Sequence, residues 1–237
     1  MIYYYITGTS SGLGKAIAEA ALKDPVSKVF GFARRCTITH NNYFHTTIDL
    51  EDLQAVRQIK FADQGDENKI ILINNAGTGK GIKYFGELDA DKIISGYHIN
   101  AIAPHLIMNN FIAAFKTLSC EKIIINITSG AASSAYDGWS IYCATKAAID
   151  MMSLVADKEQ QIRNTGFKIF AVAPGVLDTP MQDQLRETDA HDFSRIDKFT
   201  GLKENDQLAD PSLVAEKIIA IVRNPAQLSG VIQRIQI

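Results

Sequence analysis

Residues 7–14 read Thr7-Gly8-Thr9-Ser10-Ser11-Gly12-Leu13-Gly14. This glycine-rich segment directly follows an apolar run, Ile2–Thr7, and precedes a helical pattern, Lys15–Lys23. Because glycine has no Cβ, the backbone can turn tightly here and approach a pyrophosphate. The N-terminus of the following helix adds free N–H groups and the positive end of a dipole. The pattern predicts a dinucleotide-binding loop. Its Gly-x3-Gly-x-Gly spacing differs from the commoner Gly-x-Gly-x-x-Gly, so a βα turn without ligand is the alternative.

Similar apolar or β-branched runs recur along the chain and alternate with helical patterns. The further runs are Lys28–Arg34, Tyr43–Ile48, Lys69–Asn74, Lys122–Thr128, Phe167–Ala173 and Gly230–Ile235. The helical patterns cover Lys15–Lys23, Glu51–Ala62, Ala90–Leu118 (two helices), Trp139–Asn164 and Pro211–Val222. Nearly continuous hydrophobicity is typical of parallel strands covered on both faces. We therefore predict an α/β fold, a Rossmann-like doubly wound parallel β-sheet of about seven strands with helices on both faces.

One stretch, Gln182 to Asp210, interrupts this alternation. It holds eight acidic and four basic residues, a net charge of −4. Connections of this length are usually functional or mobile. A solvated loop with short helices and a lid over a substrate are both compatible with the sequence. Since no repeat, low-complexity segment or Pro/Gly-rich linker separates the chain, we expect one domain over residues 1–237 with 182–210 as the lid candidate.

The amino-acid composition limits the classes of ligand and partner that this protein is expected to bind. The chain has 237 residues, 46% of them hydrophobic, and a formal net charge of −2. This balance favours neither nucleic acid nor an anionic membrane as partner. Three widely spaced cysteines form no disulfide framework, and they and the five histidines lack metal-ligand spacing, so we expect no metal. No apolar run approaches the length of a membrane span, and no basic region precedes the first one, so a cytoplasmic protein is expected.

The end of the second predicted strand indicates which dinucleotide binds. A carboxylate about 20 residues after the glycine loop would bind the adenosine ribose and favour NAD. The sequence there is Phe32-Ala33-Arg34-Arg35, which offers two guanidinium groups instead. Arginine forms bidentate, charge-assisted hydrogen bonds to phosphate, so NADP(H) is the predicted cofactor. Arg34 is the first candidate for the 2′-phosphate, whereas Arg35 can equally cap a strand end at the surface.

Tyr142 and Lys146 lie four residues apart at the start of a helical pattern, hence on one face. An ordinary tyrosine has a pKa near 10, too high for acid–base work at neutral pH. A lysine ammonium about 5 Å away is expected to lower that pKa. Ser129 follows the run Lys122–Thr128 and places a second hydroxyl near the same oxygen of a substrate.

Together these motifs resemble the short-chain dehydrogenase/reductase family over nearly the whole length. They are Thr7–Gly14, Asp49-Leu50, Asn74-Asn75-Ala76-Gly77, Asn100, Ser129, Tyr142-x-x-x-Lys146 and Pro174-Gly175. The resemblance implies that Asn100, Ser129, Tyr142 and Lys146 are catalytic. Tyr142 would be the general acid or base, Ser129 would orient the carbonyl, and Lys146 would hold the nicotinamide ribose. The implied cofactor residues are Gly8, Ser10, Ser11, Gly12, Leu13, Gly14, Arg34, Arg35, Asp49, Leu50, Asn75, Ala76, Gly77, Tyr142, Lys146, Pro174, Gly175, Val176 and Thr179.

The family roles of three of these residues have simpler alternatives. Asp49 would bind the adenine amino group, but it also suits an N-cap of the next helix. Asn100, which would support a water-mediated proton relay, also suits an N-cap. Ser129 also suits a turn before Gly130.

A narrower resemblance is to the branch of the family with benzil and sepiapterin reductases. It is carried by residues 126–132, 138–143, 174–182 and 186–188. The implied reaction is NADPH-dependent reduction of a small ketone, with a vicinal diketone as a candidate, to a secondary alcohol. The candidate substrate residues are Tyr136, Trp139, Met181 and Leu185. The C-terminal segment Gly230–Ile237 lacks the acidic residue that holds a pterin in sepiapterin reductases, which weighs against that substrate.

Other functions stay open at this point. One is a non-catalytic NADP-sensing protein on the same fold, and another is an enzyme acting on a pterin, sugar, steroid or acyl thioester. Wide apolar faces over residues 100–118 and 139–164 resemble the helix pair that builds the family's dimer, so a homodimer or homotetramer is expected.

Overall fold

The computed structural model describes residues 1–235, so the last two residues of the expected domain lie outside it. A parallel sheet of seven strands has the order β3-β2-β1-β4-β5-β6-β7. The strands are β1 (Ile2–Thr7), β2 (Ser27–Ala33), β3 (Tyr43–Thr47), β4 (Lys69–Asn74), β5 (Glu121–Ile127), β6 (Phe167–Ala173) and β7 (Ile232–Arg234). The strand order reverses between β1 and β4, as in a doubly wound sheet. The predicted fold class is confirmed.

Helices cover both faces of this sheet. They are α1 (Gly12–Leu22), α2 (Leu53–Arg57), α3 (Ala90–Tyr97), α4 (Ala103–Phe115), α5 (Ser140–Ile162), α6 (Pro180–Arg186), α7 (Ile196–Glu204) and α8 (Pro211–Arg223). A π-helical turn, His98–Ile102, joins α3 to α4, and 3-10 turns span Gly130–Ser133 and Pro225–Gln227. No helix within the described residues is long and apolar enough to cross a bilayer.

The alternation of side chains along β1 explains why its whole run is apolar. Tyr4 and Ile6 pack with α1 and α8 on one face of the sheet. Tyr3 and Tyr5 point to the other face, where α4 and α5 pack. Successive strand residues point to opposite faces, so a strand covered on both faces needs apolar residues at every position.

The second predicted helix, Glu51–Ala62, is shorter than expected. Its helical part, α2, ends at Arg57 after an N-cap in which the Asp52 carboxylate accepts hydrogen bonds from Gln54 N and Ala55 N. Beyond it, Phe61 packs edge-on against Tyr5 and Phe111, with ring centroids 5.2 Å apart in both pairs. Apolar spacing predicted a continuing helix, but long-range aromatic packing draws the chain away from the helix axis.

The 182–210 segment contains α7 and most of α6, and most of its large apolar side chains are buried. Leu185, Phe193 and Phe199 pack together with Trp139 in a separate small core. The end of the segment lies beside the chain that leads into it. Asp178 N donates to Ala209 O (3.0 Å), and Ala209 N donates to Val176 O (2.9 Å). The segment is thus a packed subassembly on the carboxyl edge of the sheet.

Candidate active site

A cavity of about 500 Å³ lies at the carboxyl ends of the strands, where the strand order reverses between β1 and β4. This switch point is where open α/β sheets bind ligands. The predicted residues that line it are Gly8, Ser10, Ser11, Gly12, Leu13, Arg34, Asp49, Leu50, Asn75, Ala76, Gly77, Ser129, Tyr142, Lys146, Pro174, Gly175, Thr179 and Met181. The predicted residues outside the lining are Gly14, Arg35, Asn100, Tyr136, Trp139, Val176 and Leu185.

The glycine loop is shaped by close packing of backbone. Gly8 has a φ of +77°, and a Cβ there would lie 3.0 Å from Ala76 Cα. A Cβ on Gly14 would collide with the Gly8 carbonyl and the Asn75 side chain. Ser11 is the N-cap of α1, yet its hydroxyl makes no capping bond, so it faces the cavity with the helix N-terminus. Loop and helix N-terminus thus have the backbone geometry that anion binding requires.

Hydrogen bonds join the end of β1 to the residues that follow β4, next to the glycine loop. Thr7 Oγ1 accepts hydrogen bonds from Asn75 N and Ala76 N, both at 3.0 Å, and Asn75 Nδ2 donates to Thr7 O at 3.0 Å. Asn75 thereby contacts both the β1 end and Gly14.

The two predicted arginines occupy different places. Both are exposed, but Arg34, which follows the last residue of β2, lines the cavity and Arg35 does not. Asp49 also lines the cavity and accepts a hydrogen bond from Glu51 N at 3.1 Å. The helix N-cap is Asp52, so Asp49 is not the cap that its position allowed.

Sequence reasoning missed a support below the glycine loop. The buried Thr9 hydroxyl lies 2.7 Å from the Tyr43 hydroxyl on β3. Any Cβ on Gly31 of β2 would collide with the Tyr43 hydroxyl, so this bridge requires glycine there. The pairing of β2 with β3 carries Tyr43 to the loop, and no local motif signals such a contact.

Tyr142 and Lys146 lie on the first turns of α5, as their spacing predicted. The Lys146 ammonium lies 5.6 Å from the centroid of the Tyr142 ring and donates to Ile127 O at 2.8 Å. Lys146 is buried, and this burial lowers its pKa to about 8, while the nearby Asp150 carboxylate acts in the opposite direction. The group can therefore change charge near neutral pH.

The expected lowering of the Tyr142 pKa is wrong for this structure. Burial raises the pKa of Tyr142, and the hydrogen bond with Ser129 only partly opposes this. Desolvation of the phenolate outweighs the favourable field of a lysine that is itself desolvated. Tyr142 is therefore held as a neutral phenol, which is the proton-donating form.

Ser129 directly follows β5 and is the N-cap of the turn Gly130–Ser133. Its Oγ accepts a hydrogen bond from Ala131 N at 3.2 Å and hydrogen-bonds the Tyr142 hydroxyl. The turn role and the candidate site role therefore coexist, since the cap fixes the hydroxyl beside Tyr142.

Asn100 lies in the π-helical turn and not at a helix N-terminus. Its Oδ1 accepts from Thr78 N, and its Nδ2 donates to Thr78 O, both at 2.8 Å. Nδ2 also lies 3.3 Å from Thr145 Oγ1 on α5. Asn100 thus ties the β4–α3 loop to the helix that carries Tyr142. A local π turn of this kind is frequent at functional sites.

The four candidate substrate residues do not share one surface. Met181 lines the cavity, and its Sδ lies 3.6 Å from the Cβ position of Gly79 on the opposite side. Trp139 is buried beside Tyr142, with ring centroids 5.0 Å apart. Tyr136 contacts Trp139 edge-on, with ring centroids 5.7 Å apart. Leu185, predicted to contact the substrate, is instead buried in the small core, because α6 turns that face inward.

Sequence comparison places these features in a family. A family model described as short chain dehydrogenase matches residues 3–190. The chain belongs to the short-chain dehydrogenase family. It is 35% identical to a benzil reductase ((S)-benzoin forming) of Bacillus cereus, with 99% of each chain covered. It is 36% identical to the corresponding Bacillus subtilis (strain 168) enzyme, over 94% of this chain and 93% of that one. Mouse sepiapterin reductase is 29% identical to this chain, over 95% of this chain and 93% of that one.

Solved structures agree with this short-chain dehydrogenase fold. A short chain dehydrogenase/reductase from Saccharomyces cerevisiae superposes with a TM-score of 0.85 at 24% identity, over 98% of this chain and 95% of that one. A serine dehydrogenase complexed with NADP+ has a TM-score of 0.78 at 20% identity, over 99% and 94%. At these identities the structures support the fold, while the family match makes the chain an oxidoreductase.

Proposed function

We propose that this short-chain dehydrogenase is an NADPH-dependent carbonyl reductase that converts a small ketone to a secondary alcohol. The observation that carries the proposal is one cavity lined by the glycine loop, Arg34 and the hydroxyls of Ser129 and Tyr142. The names of the relatives at 35% and 36% identity favour a vicinal diketone such as benzil as substrate.

The residues present suit a dinucleotide phosphate. A Cβ would fill the cradle at Gly8 and Gly14, and the Ser11 hydroxyl beside the N-terminus of α1 makes no capping bond. Arg34 makes no salt bridge with any carboxylate within residues 1–235, which leaves its guanidinium for a 2′-phosphate. Asp49 and residues 75–77 would hold the adenosine, and residues 174–179 the nicotinamide end. The bound nucleotide would supply the hydride.

Tyr142 is the proposed general acid. Its phenol is protonated at neutral pH, so it can donate a proton to the carbonyl oxygen as the carbonyl carbon receives the hydride. Ser129 would donate a second hydrogen bond to that oxygen and hold it in line. The Lys146 ammonium would stabilise the tyrosinate left behind, and Asn100 would keep the helix and the 78–80 loop in place around it.

The proposal extends to the substrate side. Met181 would contact the ketone directly, while Trp139 and Tyr136 would support the wall beside Tyr142. We treat the chain as one NADP-binding domain in which the 182–210 segment covers the substrate. Its three free cysteines suit a reducing compartment, so we assign it to the cytoplasm.

Association through α4 and α5 is the proposed quaternary structure. Met151, Leu154 and Val155 on α5, and Ile102 in the π-helical turn just before α4, are exposed although all are apolar. A cluster of exposed apolar side chains on neighbouring elements favours contact with a second copy of the chain. Light scattering is expected to give a mass of at least twice 26.0 kDa, and a monomer mass would contradict this.

A panel of carbonyl substrates tests the function. Benzil, 1-phenyl-1,2-propanedione, sepiapterin and acetoacetyl thioesters would each be assayed with NADPH and with NADH. We expect reduction of the diketones with clear preference for NADPH. Fast turnover of the thioester alone would overturn the diketone proposal, and preference for NADH would overturn the cofactor assignment.

A further inference from the structure

Three segments that are distant in sequence meet beside the cavity. They are residues 80–87 after β4, residues 134–139 before α5, and residues 189–195 between α6 and α7. Asp137 lies at their centre. Its Oδ2 accepts hydrogen bonds from Tyr84 Oη (2.9 Å) and Ser194 N (2.8 Å), and its Oδ1 accepts one from Ser194 Oγ (2.9 Å). None of these residues has a part in the proposed reaction.

A second set of contacts joins the same segments. The Lys83 ammonium lies 2.7 and 2.9 Å from the two carboxylate oxygens of Asp192, which is 9% exposed. Lys83 N also donates to Gly138 O at 3.1 Å. We call these residues, Asp137, Ser194, Tyr84, Lys83 and Asp192, the three-segment clamp.

The backbone at the clamp is packed without spare room. Gly138 has a φ of +70°, and a Cβ there would collide with the carbonyl of Asp192. Only glycine allows both the turn and this approach. The 189–195 segment is therefore seated directly on the residue that precedes Trp139.

The clamp residues Asp192 and Ser194 flank Phe193, whose side chain is fully buried. Phe193 contacts Trp139, with ring centroids 5.2 Å apart, and Trp139 contacts Tyr142 at 5.0 Å. A chain of aromatic contacts thus runs from the clamp to the proposed general acid. In a close-packed cluster, a shift of one ring is passed to its neighbours.

We propose that Asp137 is a specificity-determining positioning residue, which seats Phe193 and Trp139 and so sets how bulky a ketone fits beside Tyr142. The inference rests on the proposed function for its substrate class. The backbone amide of Ser194 holds the pKa of Asp137 below its usual range, so the clamp is charged at neutral pH. Loss of the Asp137 hydrogen bonds should therefore shift Phe193 and Trp139. The glycine loop, on the far side of the cavity, should stay in place.

Trp139 provides a direct readout, because it is the single tryptophan of the chain. Its emission and its quenching by acrylamide would be compared in the wild type, Asp137→Asn and Ser194→Ala. Asp197→Asn, at an exposed position of α7, loses the same charge outside the clamp and is the control. We expect increased quenching in the two clamp variants and wild-type behaviour in the control. Unchanged emission and quenching in the folded clamp variants would overturn the proposal.

The second arm measures selectivity as kcat/KM for benzil relative to 2,3-butanedione, with the Kd for NADPH measured in parallel. In Asp137→Asn we expect the ratio to fall about tenfold, the scale on which pocket contacts discriminate substrates. The Kd for NADPH is expected to stay within about twofold, because the clamp lies away from the glycine loop. Ser194→Ala removes one hydrogen bond to Asp137 but keeps the Asp137 charge. It replaces Asp137→Asn in this assay if that variant does not fold.

The outcomes separate this inference from the proposed function. An unchanged ratio, or a Kd for NADPH that rises with the KM for benzil, would overturn the specificity role. If the wild type reduces neither diketone, the proposed substrate class fails, and the Trp139 measurements still decide whether Asp137 positions the wall.

Discussion

The cofactor side and the substrate side of the cavity differ in how much they depend on side-chain hydrogen bonds. Around the glycine loop, backbone meets backbone: Gly14 packs on the Gly8 carbonyl, with no space for a side chain. Across the cavity, the 182–210 segment has a tight backbone contact at Gly138 as well, but it also depends on side chains, since Asp137 and Lys83 are bonded to it. Substitutions should therefore act on the cofactor side by adding atoms and on the substrate side by removing hydrogen bonds.

Two glycines in helices give the largest expected contrast. In Gly14→Ala, the new Cβ collides with Gly8 and Asn75, so loop and helix must move apart. We expect a loss of about 2 kcal/mol in the free energy of unfolding. NADPH affinity should fall about 100-fold, since such small displacements at a site are costly. Calorimetry and fluorescence titration would measure both.

Gly201→Ala, within α7, is the matched control. A Cβ there meets its nearest neighbour, Asn205 Nδ2, at 3.9 Å. Alanine in a helix interior should increase stability by roughly 0.5–1 kcal/mol and leave NADPH affinity unchanged. Equal destabilisation by the two substitutions would break the comparison between the two sides.

On the cofactor side, the neighbouring Arg34 and Arg35 allow a second comparison, between an arginine that lines the cavity and one that does not. Arg34 lines the cavity and Arg35 does not. Loss of a charge-assisted hydrogen bond of about 2 kcal/mol corresponds to roughly 30-fold in affinity. Arg34→Ala should therefore lower kcat/KM for NADPH by that factor and leave NADH unaffected. Arg35→Ala should change either value less than about threefold. If Arg34→Ala leaves the nucleotide preference unchanged, the NADP assignment is wrong.

The smallest expected effect is a shift in pH dependence at Lys146. Because the pKa of Lys146 is about 8, its ammonium is lost as the pH rises through that value. The kcat/KM for reduction should therefore fall above about pH 8, while Tyr142, whose pKa is raised, stays protonated. The Asp150 carboxylate raises the pKa of Lys146, so Asp150→Asn should move this fall to lower pH.

Asp157→Asn is the control for that shift. Asp157 lies on the same helix but bonds Gln161, far from Lys146 along α5. Its pH profile should match that of the wild type. A fall that moves to higher pH in Asp150→Asn would contradict the assignment of this ionisation to Lys146.

Local patterns predicted the cofactor side well. β1, β4 and β6 begin and end at the predicted residues, and the Tyr142–Lys146 spacing places both groups at the cavity. Strand hydrophobicity, glycine turns and helical periodicity all act over a few neighbouring residues, so they can be read from sequence.

The features that escaped prediction depend on contacts between distant residues. Leu185 was predicted to contact the substrate, but it is buried against Phe193 and Trp139. The Thr9–Tyr43 bridge depends on the register of β2 and β3, and Asp137 on two loops far from it in sequence. The raised pKa of Tyr142 likewise follows from burial, which no spacing of two residues reveals.

The most direct test of the account is a single-turnover experiment with Tyr142→Phe. Enzyme loaded with NADPH would be mixed with benzil, and the loss of NADPH absorbance followed beside the Kd for NADPH. A general acid contributes about 10²–10⁴-fold, so we predict a rate reduced by at least about 100-fold with NADPH binding within about twofold of the wild type. A variant that oxidises NADPH at the wild-type rate would contradict the role assigned to Tyr142.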